Sequence, residues 1–333
     1  MEGDQIALTT DTGYERDENQ DRAVVLRASG HNGMEYLLAV ICDGMGGMQD
    51  GRACASIAAS SVVVAFLRSR HLSTKERLRS AALFANQVVH GNFAGKGGAT
   101  LSAVCFSDGE EAIGLNVGDS RIYGAKPGKL TALSADDTIA GQIGRGGGGA
   151  EAHKLLQFVG MGPDIDPHVI EIPGELTRTV IMTDGAHGIP EDALELLVTR
   201  ASMPLQVTRR VVQAAQWMGT RDNGTAICVQ APVRFRPSAI ERSVRLWDAW
   251  GELHLVNPTD GRPAKPEDVA EFGDFFSPDS QEPSPVERRS RRRKQSGKRN
   301  VTDAQSVLDD KPVKAPLSVE ITQISEPTNE GNH

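Results

Sequence analysis

The chain has 333 residues, 39% of them hydrophobic and 24% charged, with a formal net charge of −8. That is enough apolar material for one large domain with an appendage or for two ordinary domains, and the acidic balance gives no sign of a nucleic-acid-binding core. Cys42, Cys54, Cys105 and Cys228 lie in apolar or small-residue runs without a CxxC pair, which argues against a disulfide framework or a zinc site and leaves buried thiols.

From the N-terminus, MEGDQIALTT has neither a basic nor an apolar signal segment, and the longest apolar stretch, 57–67, is too short and serine-rich to span a bilayer. A cytoplasmic protein without membrane contact is expected. Short Val-, Ile- and Leu-rich runs bounded by Gly, Asp and Asn predict strands at 5–9, 23–28, 36–42, 100–106, 111–116, 121–124, 169–172, 179–182 and 225–230. Helices are expected at 51–69, at 74–92 after a Ser-Thr cap, at 191–200 with acidic residues after Pro190, and at 205–219 after Pro204. Many strands with helix pairs inserted between them predict an α+β fold, a helix–sheet–sheet–helix sandwich. The glycine-rich stretch 141–149 lacks a following GK[ST] and reads as a loop or lid.

The composition shifts near residue 237 to Pro, Ser, Asp and charge. Residues 1–236 are therefore expected to form the domain and 237–333 a largely disordered tail. Within that tail, WDAWGELHL is expected to form an amphipathic segment that docks on the core or binds a partner. The run 288–299 holds Arg288 and seven further basic residues, a solvated tail or a contact for an acidic partner.

Three aspartates carry the chemistry. Asp43 and Asp184 follow apolar runs, and Asp222 precedes one. If the first two strands run alike and the third opposite, the carboxylates meet at one edge of the sheet core. Anionic oxygens so gathered repel one another unless cations sit among them, and an all-carboxylate set suits Mg2+ or Mn2+ rather than zinc. Upstream, Arg16 lies five residues before Asp21 in a turn-rich stretch, and its guanidinium fork matches two phosphate oxygens.

Taken in order, R-x-x-N-Q-D at 16–21, D-G-M-G-G at 43–47, G-D-S-R at 118–121, T-D-G at 183–185 and D-N at 222–223 resemble the type 2C, metal-dependent (PPM) protein phosphatases in their bacterial form. The resemblance covers roughly residues 5–231. It implies a protein serine/threonine phosphatase that hydrolyses phosphomonoesters by direct attack of a water bridging two Mg2+ or Mn2+ ions, on phosphoserine and phosphothreonine proteins, countering a Ser/Thr kinase. Asp43 would bridge the ions and the Gly44 carbonyl would bind one of them. Asp184 and Asp222 would hold the other. Asp21 would hold metal-bound water at one remove, with Gln20 beside it, and Arg16 would bind the substrate phosphate. Asp119 with Asp184 would form a weaker third metal site.

Met45 stands where animal members carry a His thought to protonate the leaving group. That task passes to bound water or to another acid such as His187, unless His187 caps or packs near the Asp184 turn. The segment between Asp119 and Asp184 corresponds to the flap with which family members commonly choose substrates, so substrate preference does not carry over. Two other readings compete. Cys228 and Arg234 have the C-x5-R spacing of cysteine phosphatases, but Ile227 replaces the usual His and Pro232 removes a phosphate-cradling amide. A non-catalytic phosphoprotein-binding or scaffold module on the same fold would be marked by loss of the metal aspartates, and Asp43, Asp184 and Asp222 are all present.

Overall fold

The computed structural model describes residues 5–29, 34–45, 47–143, 154–163, 165–235, 243–249, 252–256 and 319–321. The glycines at 146–149, Trp250 and the basic run 288–299 lie outside them. Two antiparallel sheets form the centre. One has the order β1 (Ile6–Asp11), β10 (Gly224–Gln230), β9 (Arg178–Met182), β6 (Arg121–Lys126), β7 (Lys129–Ala132). The other runs β13 (Val319–Ile321), β12 (Glu252–Val256), β11 (Ser243–Trp247), β2 (Arg22–Ser29), β3 (Glu35–Cys42), β4 (Leu101–Ser107), β5 (Ile113–Val117), β8 (His168–Glu171).

Side-chain alternation along the strands explains the layers. On β3, Leu37, Ala39 and Ile41 point into a core shared with Ile181 and Ile227 of the opposite sheet. Leu38 and Val40 point the other way, onto α1 (Gly51–Arg68) and α2 (Thr74–Phe93) through Ala58, Val62, Phe66 and Leu78. On β10, Ile227 and Val229 face the inter-sheet core. Ala226 and Cys228 face α4 (Asp184–His187), α5 (Glu191–Thr199) and α6 (Pro204–Trp217). A short α3 (Ile139–Ile143) follows β7. The result is the four-layer helix–sheet–sheet–helix sandwich expected from the sequence.

Local signals set the helix starts. Asp50 caps α1 by accepting from the Ala53 amide at 3.0 Å. Ser73 and Glu76 form a capping box on α2, and Pro204 opens α6. By length and composition α1 could cross a membrane, yet its apolar face packs in the core.

The larger sheet continues past residue 236, where composition alone ends the domain. Val244 to Trp247 pair antiparallel with β2, opposite Ala28 to Val25, and Trp247 is only 6% exposed within the inter-sheet core. The apolar alternation of VRLW is short and sits amid polar sequence, so its composition resembles the tail while its contacts belong to the sheet.

Candidate active site

Strand ends converge at one edge of the sandwich. Asp43 leaves β3, Asp184 opens α4 directly after β9, and the turn carrying Asp222 enters β10, which runs antiparallel to β9. Glycines allow the chain to cross closely there. A Cβ on Gly44 would sit 2.2 Å from the Gly51 carbonyl oxygen, and one on Gly185 would sit 2.0 Å from that of Asn223. Both are contacts that no side chain could make without moving backbone.

Asp21 lies at the bottom, 3% exposed. Its Oδ2 accepts hydrogen bonds from the Thr225 hydroxyl at 2.6 Å and the Thr183 hydroxyl at 3.1 Å, while Oδ1 is buried without a partner. Burial pushes this carboxyl up to about 7. The threonine hydroxyls oppose the shift, and the charges of Asp184 and Asp222 reinforce it. Burial also holds Asp43 well above the usual carboxylate range, joined by Asp21, Asp184, Asp222 and Asp119. Asp184 is raised by burial and by Asp222, and its Oδ1 is a second buried oxygen with no partner.

Asp119 sits in a turn where Gly118 has φ +102, and burial with the charge of Asp184 raises its carboxyl to about 7. The His187 ring contacts the Asp119 carbonyl oxygen through Nε2 at 3.0 Å. Burial, helped by Arg121, lowers this imidazole to about 4, so it is neutral at pH 7 and its Nε2–H is spent on that carbonyl. Of the two roles open to His187, the geometry matches packing beside the Asp184 turn.

Arg16 is exposed at the rim. It donates to Asp222 Oδ2 at 2.6 Å, a contact that raises its own pKa. The loop bearing it is stapled by Asn223, whose Oδ1 accepts from the Gln20 amide at 2.8 Å and whose Nδ2 donates to the carbonyls of Thr12 and Glu18. The Gln20 side chain turns to Glu18 at 2.9 Å.

The structure thus brings Asp21, Asp43, Gly44, Asp119, Asp184 and Asp222 to one edge with Arg16 above them. Three supporting residues carry no role in the motif reading. Asn223 and Thr183 have a visible signal in the D-N pair and the T-D-G motif, whereas Thr225 reads in sequence only as a strand former. Among the described residues no three His, Cys, Asp or Glu side chains close around one point as a preformed cage. Asp43 and Asp184 approach within hydrogen-bonding reach, while Asp222 is turned to Arg16.

An all-oxygen donor set with two orphaned buried carboxylate oxygens, and no lysine among the described residues pairing with these carboxylates, suits hard divalent cations. The cysteines do not contribute. All four are free and buried, and Cys228 faces α6, its thiol pushed up to about 12 by burial.

The protein phosphatase 2C family model matches residues 14–220, from the Arg16 loop to the turn before Asp222. No curated protein sequence matches the chain. Among solved structures, it is similar to the PPM Ser-Thr phosphatase MsPP of Mycobacterium smegmatis in complex with cacodylate. Identity is 28% and the TM-score 0.57, over 68% of this chain and 97% of that one. The fold is shared with serine/threonine phosphatase Stp1 of Staphylococcus aureus, at 19% identity and TM-score 0.59 over 69% and 96% of the two chains. A PstP catalytic domain in complex with two manganese ions matches at 21% identity and TM-score 0.56, over 68% and 97%. With the family model spanning most of the sandwich and the motif carboxylates gathered at its edge, the chain belongs to the protein phosphatase 2C family.

Proposed function

We propose that the chain is a metal-dependent protein serine/threonine phosphatase that transfers the phosphoryl group of phosphoserine and phosphothreonine proteins directly to water. The observation that carries this reading is the floor of buried, uncompensated carboxylates, Asp21, Asp43 and Asp184, beneath an exposed arginine. Asp43, Asp184, Asp222 and the Gly44 carbonyl are the groups that hold two Mg2+ or Mn2+ ions, and Asp119 with Asp184 holds a weaker third. When bound, the cations supply Lewis acidity toward water and offset the charge of the phosphate.

The chain's own residues do the rest. Arg16 offers a planar fork to two phosphate oxygens and fixes the ester for in-line attack. Asp21 keeps one oxygen hydrogen-bonded to Thr183 and Thr225 and presents the other to orient water. No thiol competes as nucleophile, since all four cysteines are buried. His187 is committed to Asp119, so protonation of the leaving oxygen falls to water.

The test is hydrolysis of p-nitrophenyl phosphate and of phosphoserine, phosphothreonine and phosphotyrosine peptides by the purified chain. Turnover of the phosphoserine and phosphothreonine peptides with Mn2+ or Mg2+, lost in EDTA, is expected. Full turnover in chelator overturns the reading.

A further inference from the structure

Asp119 lies in the turn between β5 and β6, away from the ends of β3, β9 and β10 that carry Asp43, Asp184 and Asp222. Gly118 holds the left-handed φ, and a Cβ there would meet Thr100 Cγ2 at 2.7 Å, so the turn has one shape. Besides His187 and Asn116, which bond the carbonyls of Asp119 and Gly118, that turn is held from outside by Asp137, nineteen residues on from Gly118 and 4% exposed.

The Asp137 amide donates to the Gly118 carbonyl at 2.9 Å, and its Oδ2 accepts from the Gly118 amide at 2.8 Å. The same oxygen accepts from Gln157 Nε2 at 2.7 Å, and Oδ1 meets His168 Nε2 at 2.8 Å. The Asp137 carbonyl accepts from the Leu156 amide at 2.7 Å. One buried carboxylate therefore ties the Asp119 turn to two separate pieces of the segment between β7 and β9. A buried carboxylate with three donors is a stiff node, because leaving any one donor unpaired is costly.

We propose that Asp137 is a positioning residue for Asp119. It sets cation affinity at the Asp119–Asp184 pair and makes that affinity depend on the seating of Gln157 and His168. The inference rests on Asp119 being a cation ligand. Groups that orient a ligand without touching the ion typically change affinity by about 10–100-fold when removed.

The test is Mn2+ titration calorimetry on the full chain, with amide hydrogen exchange as a readout independent of activity. Asp137→Ala should weaken the weakest Mn2+ event at least about tenfold, leave the tighter events in place and speed exchange at residues 118–120. Asp137→Asn keeps an oxygen for the Gly118 amide and should recover most of the affinity. His168→Ala, at a half-exposed position that tolerates truncation, should fall between them. Unchanged weak Mn2+ binding in both Asp137→Ala and His168→Ala overturns the proposal, whatever the exchange shows. A wild-type chain with phosphatase activity but no weak Mn2+ event also overturns it, while leaving the phosphatase reading intact.

Discussion

On the floor of the site, Asp21, Asp43 and Asp184 face one another and their carboxyls are raised by burial. On the wall, Asp222 has instead closed onto Arg16 at 2.6 Å, with Asn223 holding the loop behind it. The same residue type is thus left uncompensated in one place and neutralised by a guanidinium a few ångströms of chain away. Under the proposed function the two regions divide the work: the floor would take the cations, and the wall holds a positive group for the phosphate. A cation on the Asp222 carboxylate would weaken its pull on Arg16, so under the proposed function filling the floor and freeing the guanidinium are linked.

The largest expected effect comes from breaking the floor. Asp43→Asn removes a charge that Asp21, Asp184 and Asp222 all face, and with it several kcal/mol of cation-derived stabilisation of the transition state. At about 1.4 kcal/mol per tenfold, kcat should fall on the order of 10³-fold. Because the variant also relieves like-charge repulsion, its metal-free form should melt higher than wild type. Activity within a few-fold of wild type would place the chemistry elsewhere.

A smaller effect is expected from the wall. Arg16→Ala should raise KM for a phosphopeptide by roughly tenfold, in line with about 1.5 kcal/mol for a charge-assisted hydrogen bond. Mn2+ affinity should hold or tighten, since Asp222 loses its competitor. Weaker Mn2+ binding with unchanged KM would show that floor and wall do not divide the work this way.

Carboxylates at strand ends were more legible in sequence than their supports. Asp43, Asp184 and Asp222 announce themselves because a carboxylate at the end of an apolar run has few bland explanations. The roles of Thr183 and Thr225 do not, since Thr225 in a strand reads as β-propensity, and the hydroxyl bonds of the two to Asp21 span 162 and 204 residues. Asp137 reads as one more charge in a loop until His168, thirty-one residues away, arrives beside it. Likewise β7, KLTA, is an edge strand of only four, largely exposed residues, and β11 is disguised by the polar sequence around it. Local pattern finds elements that bury one face, whereas partners brought together by the fold leave no local trace.

The smallest effect sharpens the comparison through pH. Asp21 and Asp119 titrate near 7 in the folded chain against about 3.9 in an unfolded one. Between those values the metal-free native state holds protons that the unfolded chain has released. Stability from these groups is therefore fully present below about pH 4 and is lost as pH rises through 7. The slope approaches about 1.4 kcal/mol per pH unit for each proton held. In EDTA, melting should accordingly fall between pH 5 and pH 8, and Asp21→Asn should flatten that fall. Added Mn2+ should reverse the trend, because cations compete with the same protons and bind the native chain better as pH rises. Arg16→Ala should alter the profile less than Asp21→Asn, since Arg16 is not among the groups that shift Asp21 or Asp119 and a guanidinium does not titrate in this range. Scanning calorimetry at three pH values with and without Mn2+ is sufficient. A melting temperature that rises from pH 5 to pH 8 in EDTA would mean that the floor carboxylates are ionised without cations, and that the uncompensated charge inferred from the geometry is screened by something other than protons.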